Sequence, residues 1–203
     1  MPLTSLHVET MPDQDFRLIL ASQSPQRRHL LEQAGYTFEV IAPHPSAECG
    51  VCSGETPNEL VSRLARQKAA DVAARVPAGI VLACDTVAEC SGQVLGKPRD
   101  LEHARQMLTL LSGQTHYVYS GLCLWQRPSD VVVERVDVTK LWMEQIFGDE
   151  LQHYLDSDAW EGRAGAFGYQ DGPDWLHIVS GSESNVIGLP MELLREMLAK
   201  LKL

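Results

Sequence analysis

The chain has 203 residues, 44% hydrophobic and 22% charged, ordinary proportions for a globular protein long enough to bury a sizeable core without staples. A formal net charge of −10 and a pI near 5.1 argue against a binder of duplex nucleic acid, which presents a basic face, so no nucleic-acid polymer is expected as a partner. No apolar run approaches the roughly 18 residues of a membrane span, and the N-terminus, with Glu9, Asp13 and Asp15, lacks the basic and apolar regions of a signal peptide. No membrane association is expected, and a cytoplasmic location is.

Phe16, Leu18, Ile19, Leu20 and Ala21 form an apolar run that predicts a short buried strand. Ser22-Gln23-Ser24-Pro25-Gln26-Arg27 follows and opens a helix, with Ser24 as N-cap and Pro25 at the first helical position. The free N–H groups of such a helix start favour an anion, and Arg27 and Arg28 add positive charge to the same turn. An ordinary strand–turn–helix with a surface arginine pair would look the same. Thr37 to Ala42 predicts a second strand, ended by Pro43-His44-Pro45. Glu48 follows it, and Cys49-Gly50-Val51-Cys52 is a single CxxC in a loop-like stretch with no second pair to complete a zinc site. The five cysteines form no regular framework, which suits reduced thiols.

Thr56-Pro57-Asn58-Glu59 predicts a capping box at the head of a helix whose apolar face runs Leu60, Val61, Leu64, Ala65, Ala69, Val72. Lys68 falls inside that stripe, four residues after Leu64 and four before Val72. A charged head there either snorkels outward or meets an anion. Ile80 to Cys84 predicts a buried strand leading into Asp85, which is expected at the strand's carboxyl end, where open α/β sheets place ligands. A turn or cap aspartate is the alternative.

Ser91-Gly92 predicts a turn. Lys97, in Gly92-Gln93-Val94-Leu95-Gly96-Lys97-Pro98, is not in a Walker motif, because the glycine spacing is one short and proline replaces Ser/Thr. Leu101 to Leu111 predicts an amphipathic helix, and Val118 to Trp125 with Val131 to Val138 an antiparallel strand pair joined around Pro128-Ser129-Asp130. His116 reads equally as a structural or a catalytic histidine. Helices are expected from Asp149 to Leu155 and from Leu189 to Leu203, with a looped segment closing over a site between residues 162 and 190. The alternation of patterns predicts an α/β fold with mixed strand directions. No GxGxxG, GxSxG or HExxH motif occurs.

Six segments stand in a particular order: Ser22 to Leu31, Ala83-Cys84-Asp85-Thr86-Val87, Leu95-Gly96-Lys97-Pro98-Arg99, Leu111-Ser112-Gly113-Gln114-Thr115-His116, Ala164-Gly165-Ala166-Phe167, and Gly181-Ser182 through Gly188-Leu189-Pro190. This ordered set resembles the Maf family of nucleoside triphosphate pyrophosphatases, from about Phe16 to the end. The resemblance implies an N-terminal extension over residues 1–15, flexible, and a single domain over 16–203. It implies a mixed twisted sheet with flanking helices and two lobes around a nucleotide-binding cleft, as in inosine-triphosphatase-like folds. The implied reaction converts a nucleoside triphosphate into the monophosphate and pyrophosphate, by attack of water on the α-phosphorus.

By the same resemblance Asp85 is the catalytic carboxylate, Lys68 and Lys97 face the triphosphate, and Asp85 with Glu48 holds Mg2+ or Mn2+. Ser22, Ser24 and Arg27 contact substrate. Thr86 and Gln170 match the residues of dTTP/UTP enzymes, whereas Gln26 stands where those enzymes carry an arginine. Specificity is therefore expected to be broad or to lean towards dTTP and UTP. A rival reading is a nucleotide-sensing regulator of cell division without turnover, which could dispense with Asp85. The sequence leaves room for a homodimer.

Overall fold

The computed structural model describes residues 14–47 and 54–201. Leu18–Leu20 (β1) is buried at every position, as expected of a strand covered on both faces. It pairs in parallel with Phe38–Val40 (β2) on one side and with the start of Gly79–Cys90 (β3) on the other. Pro25–Gln33 (α1) connects β1 to β2, and Pro57–Ala73 (α2) leads into β3. The capping box forms: Thr56 N donates to Glu59 Oε2 at 2.9 Å and Glu59 N to Thr56 Oγ1 at 3.3 Å. Such a cap contributes about 1 kcal/mol.

After β3 come Gln93–Leu95 (β4), Leu101–Leu111 (α3), Thr115–Arg127 (β5) and Val131–Met143 (β6). Gly148–Asp156 (α4), Leu176–Ser180 (β7), Glu183–Ile187 (α5) and Met191–Lys200 (α6) complete the chain. The sheet order is β2-β1-β3-β5-β6-β7, with β4 added to β3. Pairing is antiparallel from β3 onwards, so the sheet is mixed.

Helix α2 covers one face. Its Ala65, Ala69 and Val72 bury against Val81, Ala83 and Cys123, and its Leu60 and Val61 against Val87. On the opposite face α1 and α6 pack over Leu82, Leu122 and Leu124, while α3 and α4 pack over Ala88, Val118 and Leu141. A polar contact, Thr86 Oγ1 to Ser120 Oγ at 2.8 Å, lies between these two apolar groups. The helices on this face thus form two bodies sharing one sheet.

One edge of β3 has a gap. β1 accompanies it from Ile80 to Leu82, and β4 takes up the edge again from Ala88 to Cys90. Asp85 and Thr86 between them pair only with β5, opposite Gly121 and Ser120.

Several expectations are corrected. Asp85 does not end its strand: β3 runs on to Cys90, because β5 continues beside it, pairing with β3 as far as Glu89. The open position arises where β1 stops instead. The segment between residues 162 and 190 carries β7 and α5 besides its loops, and its strand is short because it pairs only at the sheet edge, with β6. The last helix begins at Met191, after Pro190 in extended conformation. β4 is a strand that the Ser91-Gly92 turn alone did not announce. Glu48, Cys49 and Cys52 lie outside the described residues, as do positions 1–13 of the N-terminal extension.

Candidate active site

At the gap in β3 the surface opens into a cleft of about 770 Å3. One rim is the chain leaving β1, Ser22 to Arg27; the other is the chain leaving β4, Gly96 and Lys97. Lys68, Asp85, Thr86 and Gln170 line it as well, so every site residue expected from the sequence and lying within the described residues borders this one cleft. Among the described residues, Arg27, Lys68, Lys97 and Arg163 set four cationic side chains against two carboxylates, Asp85 and Glu161, in its lining. A protein of net charge −10 therefore gathers positive charge at one place, the condition for taking up a small polyanion.

Lys68 Nζ donates to Asp85 Oδ1 at 2.6 Å, and both side chains are largely buried. The helix that brings Lys68 here sits unusually close to the sheet. A Cβ on Gly121, the partner of Asp85 in β5, would fall 2.3 Å from Val61 O of α2. Only glycine lets the helix backbone approach to that depth. Asp85 Oδ2 has no hydrogen-bond partner among the described residues, and Asp85 lines the cleft.

The helix start is built as its sequence predicts. Ser24 caps α1, its Oγ accepting from Arg27 N at 3.4 Å, and donates to Gln26 Oε1 at 3.1 Å. Arg27 spreads its fork over three neighbours. Nε donates to Gly188 O at 2.9 Å, Nη1 to Ser22 Oγ at 3.2 Å and Nη2 to Thr86 Oγ1 at 3.2 Å. Arg27 thus ties together the chain leaving β1, strand β3 and the end of α5. Cys84 reaches Gly188 O as well, at 3.3 Å, and burial pushes its thiol up, so it is a packing group rather than a thiolate.

Lys97 is exposed on its Gly–Pro turn and has no hydrogen-bond partner among the described residues. The turn is fastened to the Ala164–Ala166 segment by Gly165 N donating to Gly96 O at 3.0 Å. Gly165 has φ +71, and a Cβ there would meet Phe167 at 2.7 Å, which accounts for glycine in this motif. Phe167 in turn meets His116 edge-on, with ring centroids 5.2 Å apart. His116 is fully buried, does not line the cleft, and forms no well-directed hydrogen bond with either ring nitrogen. Burial lowers its pKa to about 4, so the ring is a neutral packing element, and the structural alternative holds.

Sequence reasoning missed Arg163. It lines the cleft and carries an ion pair to Asp171, but it stands in no motif of recognised spacing, only directly before Ala164-Gly165-Ala166. Ser120, buried under Thr86, was missed for the same reason.

Fold and site together define an α/β protein whose interrupted sheet presents a carboxylate–lysine pair beside a serine-capped, arginine-bearing helix start. The chain belongs to the Maf-like protein family, whose match spans residues 17–201. Among its relatives, the dTTP/UTP pyrophosphatase of Rhodopirellula baltica is 56% identical over 182 residues, covering 89% of this chain and 80% of that protein. The dTTP/UTP pyrophosphatase of Carboxydothermus hydrogenoformans is 40% identical, covering 89% of this chain and 97% of its own length. That of Pyrococcus furiosus is 34% identical, covering 86% and 90%. A solved structure of a HAM1 protein from Coxiella burnetii superposes with a TM-score of 0.51 at 15% identity, covering 91% of this chain and 99% of its own, a likeness of fold. Among the described residues no helix is long and apolar enough to cross a membrane.

Proposed function

We propose that this chain is a nucleoside triphosphate pyrophosphatase, releasing pyrophosphate from a triphosphate with a leaning towards dTTP and UTP. The observation that carries the reading is the Lys68–Asp85 pair at the sheet gap, set beside the Ser24-capped helix start. Relatives of up to 56% identity that bear the name dTTP/UTP pyrophosphatase support the same reading.

The reaction forms a bond from water oxygen to the α-phosphorus and breaks the bond to the oxygen bridging α and β, so pyrophosphate leaves. Such a transfer needs position and charge neutralisation more than a protein nucleophile. In this reading Asp85 Oδ2 accepts the proton of the attacking water, while Lys68 holds Oδ1 and keeps the carboxylate aimed. Arg27, Lys97 and the free backbone N–H groups after Ser24 bind the phosphates, with Ser22 and Ser24 hydroxyls adding hydrogen bonds. Thr86, Gln26 and Gln170 border the space left for the nucleoside.

Among the described residues no three His, Cys, Asp or Glu side chains converge as a metal site. The donor set still fits Mg2+ or Mn2+, which are commonly held by one or two carboxylates, waters and the substrate's own phosphates. Asp85 would supply the carboxylate, with Glu48 as a second from outside the described residues. Such an ion neutralises phosphate charge and acidifies water.

Binding without turnover would not require the buried carboxylate, so Asp85 also weighs against the sensing alternative. Product analysis after incubation with dTTP, UTP, CTP and GTP tests the reading. Monophosphate plus pyrophosphate is expected, dependent on added divalent cation. Release of single phosphates, or full activity in excess EDTA, would overturn it.

A further inference from the structure

Arg163 and Gln170 face the cleft from the segment between α4 and β7. With the Gln170 amide oriented to satisfy its neighbours, its carbonyl oxygen accepts from both Arg163 Nη1 and Nη2, each at 3.2 Å. Arg163 is gripped from another side by Asp171, through an ion pair from Nη1 to Oδ2 and a bond from Nη2 to Oδ1 at 3.3 Å. Each Nη carries two hydrogens, so the two sets of contacts coexist. The Arg163 side chain is 18% exposed, and the backbone below is shaped to it: a Cβ on Gly168 would fall 1.3 Å from Nη1.

A guanidinium has donors only, so the end of the Gln170 amide that meets it must be the carbonyl. The NH2 end is the one Arg163 leaves unheld on a side chain that lines the cleft. An amide that could turn over would offer donor and acceptor alike and discriminate little. One that is pinned offers a donor alone.

We propose that Arg163 is a positioning residue that fixes the polarity of the Gln170 amide, so that the cleft selects pyrimidines with a carbonyl at ring position 4 over those with an amino group there. The inference rests on the pyrophosphatase reading, with Gln170 beside the base. A 4-amino group facing the pinned NH2 sets donor against donor, and the unmatched polar group costs about tenfold to a hundredfold in affinity.

The test measures binding apart from turnover, using UTP and CTP analogues with a methylene between the α- and β-phosphorus, by titration calorimetry with Mg2+. The wild type is expected to prefer the UTP analogue by about tenfold or more. In folded Arg163→Met that preference falls to within about threefold, because Gln170 can now turn its carbonyl to the 4-amino group; Arg163→Lys, which keeps donors, recovers part of it. Gln170→Glu places an acceptor in the same place and shifts preference towards the CTP analogue. No preference in the wild type, an unchanged preference in Arg163→Met, or equal weakening of both analogues would each overturn the proposal. Pyrophosphate release from UTP by the wild type is followed in parallel. Selective binding without that release would sink the pyrophosphatase reading and leave the assignment of Arg163 supported.

Discussion

Lys68 and Asp85 meet across two layers, Nζ to Oδ1 at 2.6 Å, with side chains 8% and 13% exposed. The pair joins the body of α2 to the stretch of β3 that has lost its parallel neighbour. A buried pair is costly to break from one side, because the remaining charge keeps its desolvation penalty.

Asp85→Asn keeps the shape and an acceptor for Lys68 but removes the negative charge. Hydrolysis of UTP is expected to fall by at least about a hundredfold, the scale for losing a positioned acid–base or metal-holding group. Lys68→Met leaves the carboxylate without the donor on Oδ1 and is expected to lower stability as well, by about 3–5 kcal/mol. Urea midpoints for both variants, with initial rates, separate the effects. Wild-type-like hydrolysis by folded Asp85→Asn would remove Asp85 from the mechanism.

Arg27 gives a second expectation, from geometry rather than charge. Its fork reaches Gly188 O, Ser22 Oγ and Thr86 Oγ1 together, an arrangement an ammonium cannot reproduce. Arg27→Lys, with the formal charge kept, is expected to raise KM for UTP by about tenfold, or about 1.4 kcal/mol. Arg28, exposed on the next position, serves as the contrast: Arg28→Ala should stay within about twofold. Equal behaviour of the two variants would show that the turn contributes charge alone.

Much of this site is legible in the sequence because local rules govern it. Ser24-Pro25 and the Thr56–Glu59 box announce helix starts through capping chemistry, and Lys68 stands out as a charge in an apolar stripe. What sequence periodicity cannot give is tertiary depth. Asp85 lies in mid-strand because β5 runs on beside β3, and the opening depends on where β1 ends, a fact of sheet pairing. Gly121 reads as a weak point in a strand, yet it is where the backbone of α2 lies against the sheet with no room for a Cβ. β7 and α5 are hidden among glycines that serve the loops around them, and Arg163 has no spacing to mark it.

His116 yields a stability prediction whose sign is fixed by burial. Its pKa is lowered from 6.5 to about 4, so between these values the unfolded chain binds the proton and the folded one does not. Stability contributed by the neutral ring is complete above the unfolded value and is lost as pH falls from about 6.5 towards about 4. The loss between about pH 7.5 and about pH 5 is on the order of 2 kcal/mol. His116→Leu should lack this component, so the urea midpoint of the wild type should fall relative to that of the variant on acidification. Parallel decline in both would assign the acid sensitivity to other groups.

The last prediction concerns Gln26. Its Oε1 accepts from Ser24 Oγ at 3.1 Å, so the cap that orders α1 also holds the side chain standing where the resemblance to dTTP/UTP enzymes calls for an arginine. A glutamine has neither the charge nor the rigid fork of that arginine, and it borders the cleft among groups that gather positive charge. Discrimination between bases should therefore be looser here than in a site with the arginine. Gln26→Arg is expected to raise kcat/KM for dTTP and UTP relative to GTP and 7-methyl-GTP by about tenfold, or about 1.4 kcal/mol. The gain should appear mainly in KM, since Gln26 stands apart from the Lys68–Asp85 pair in β3 and α2. An unchanged ratio would mean that Gln26 does not meet the nucleoside. A wild-type preference of about a hundredfold for 7-methyl-GTP, on the order of 3 kcal/mol, would show that Thr86 and Gln170 do not read a pyrimidine.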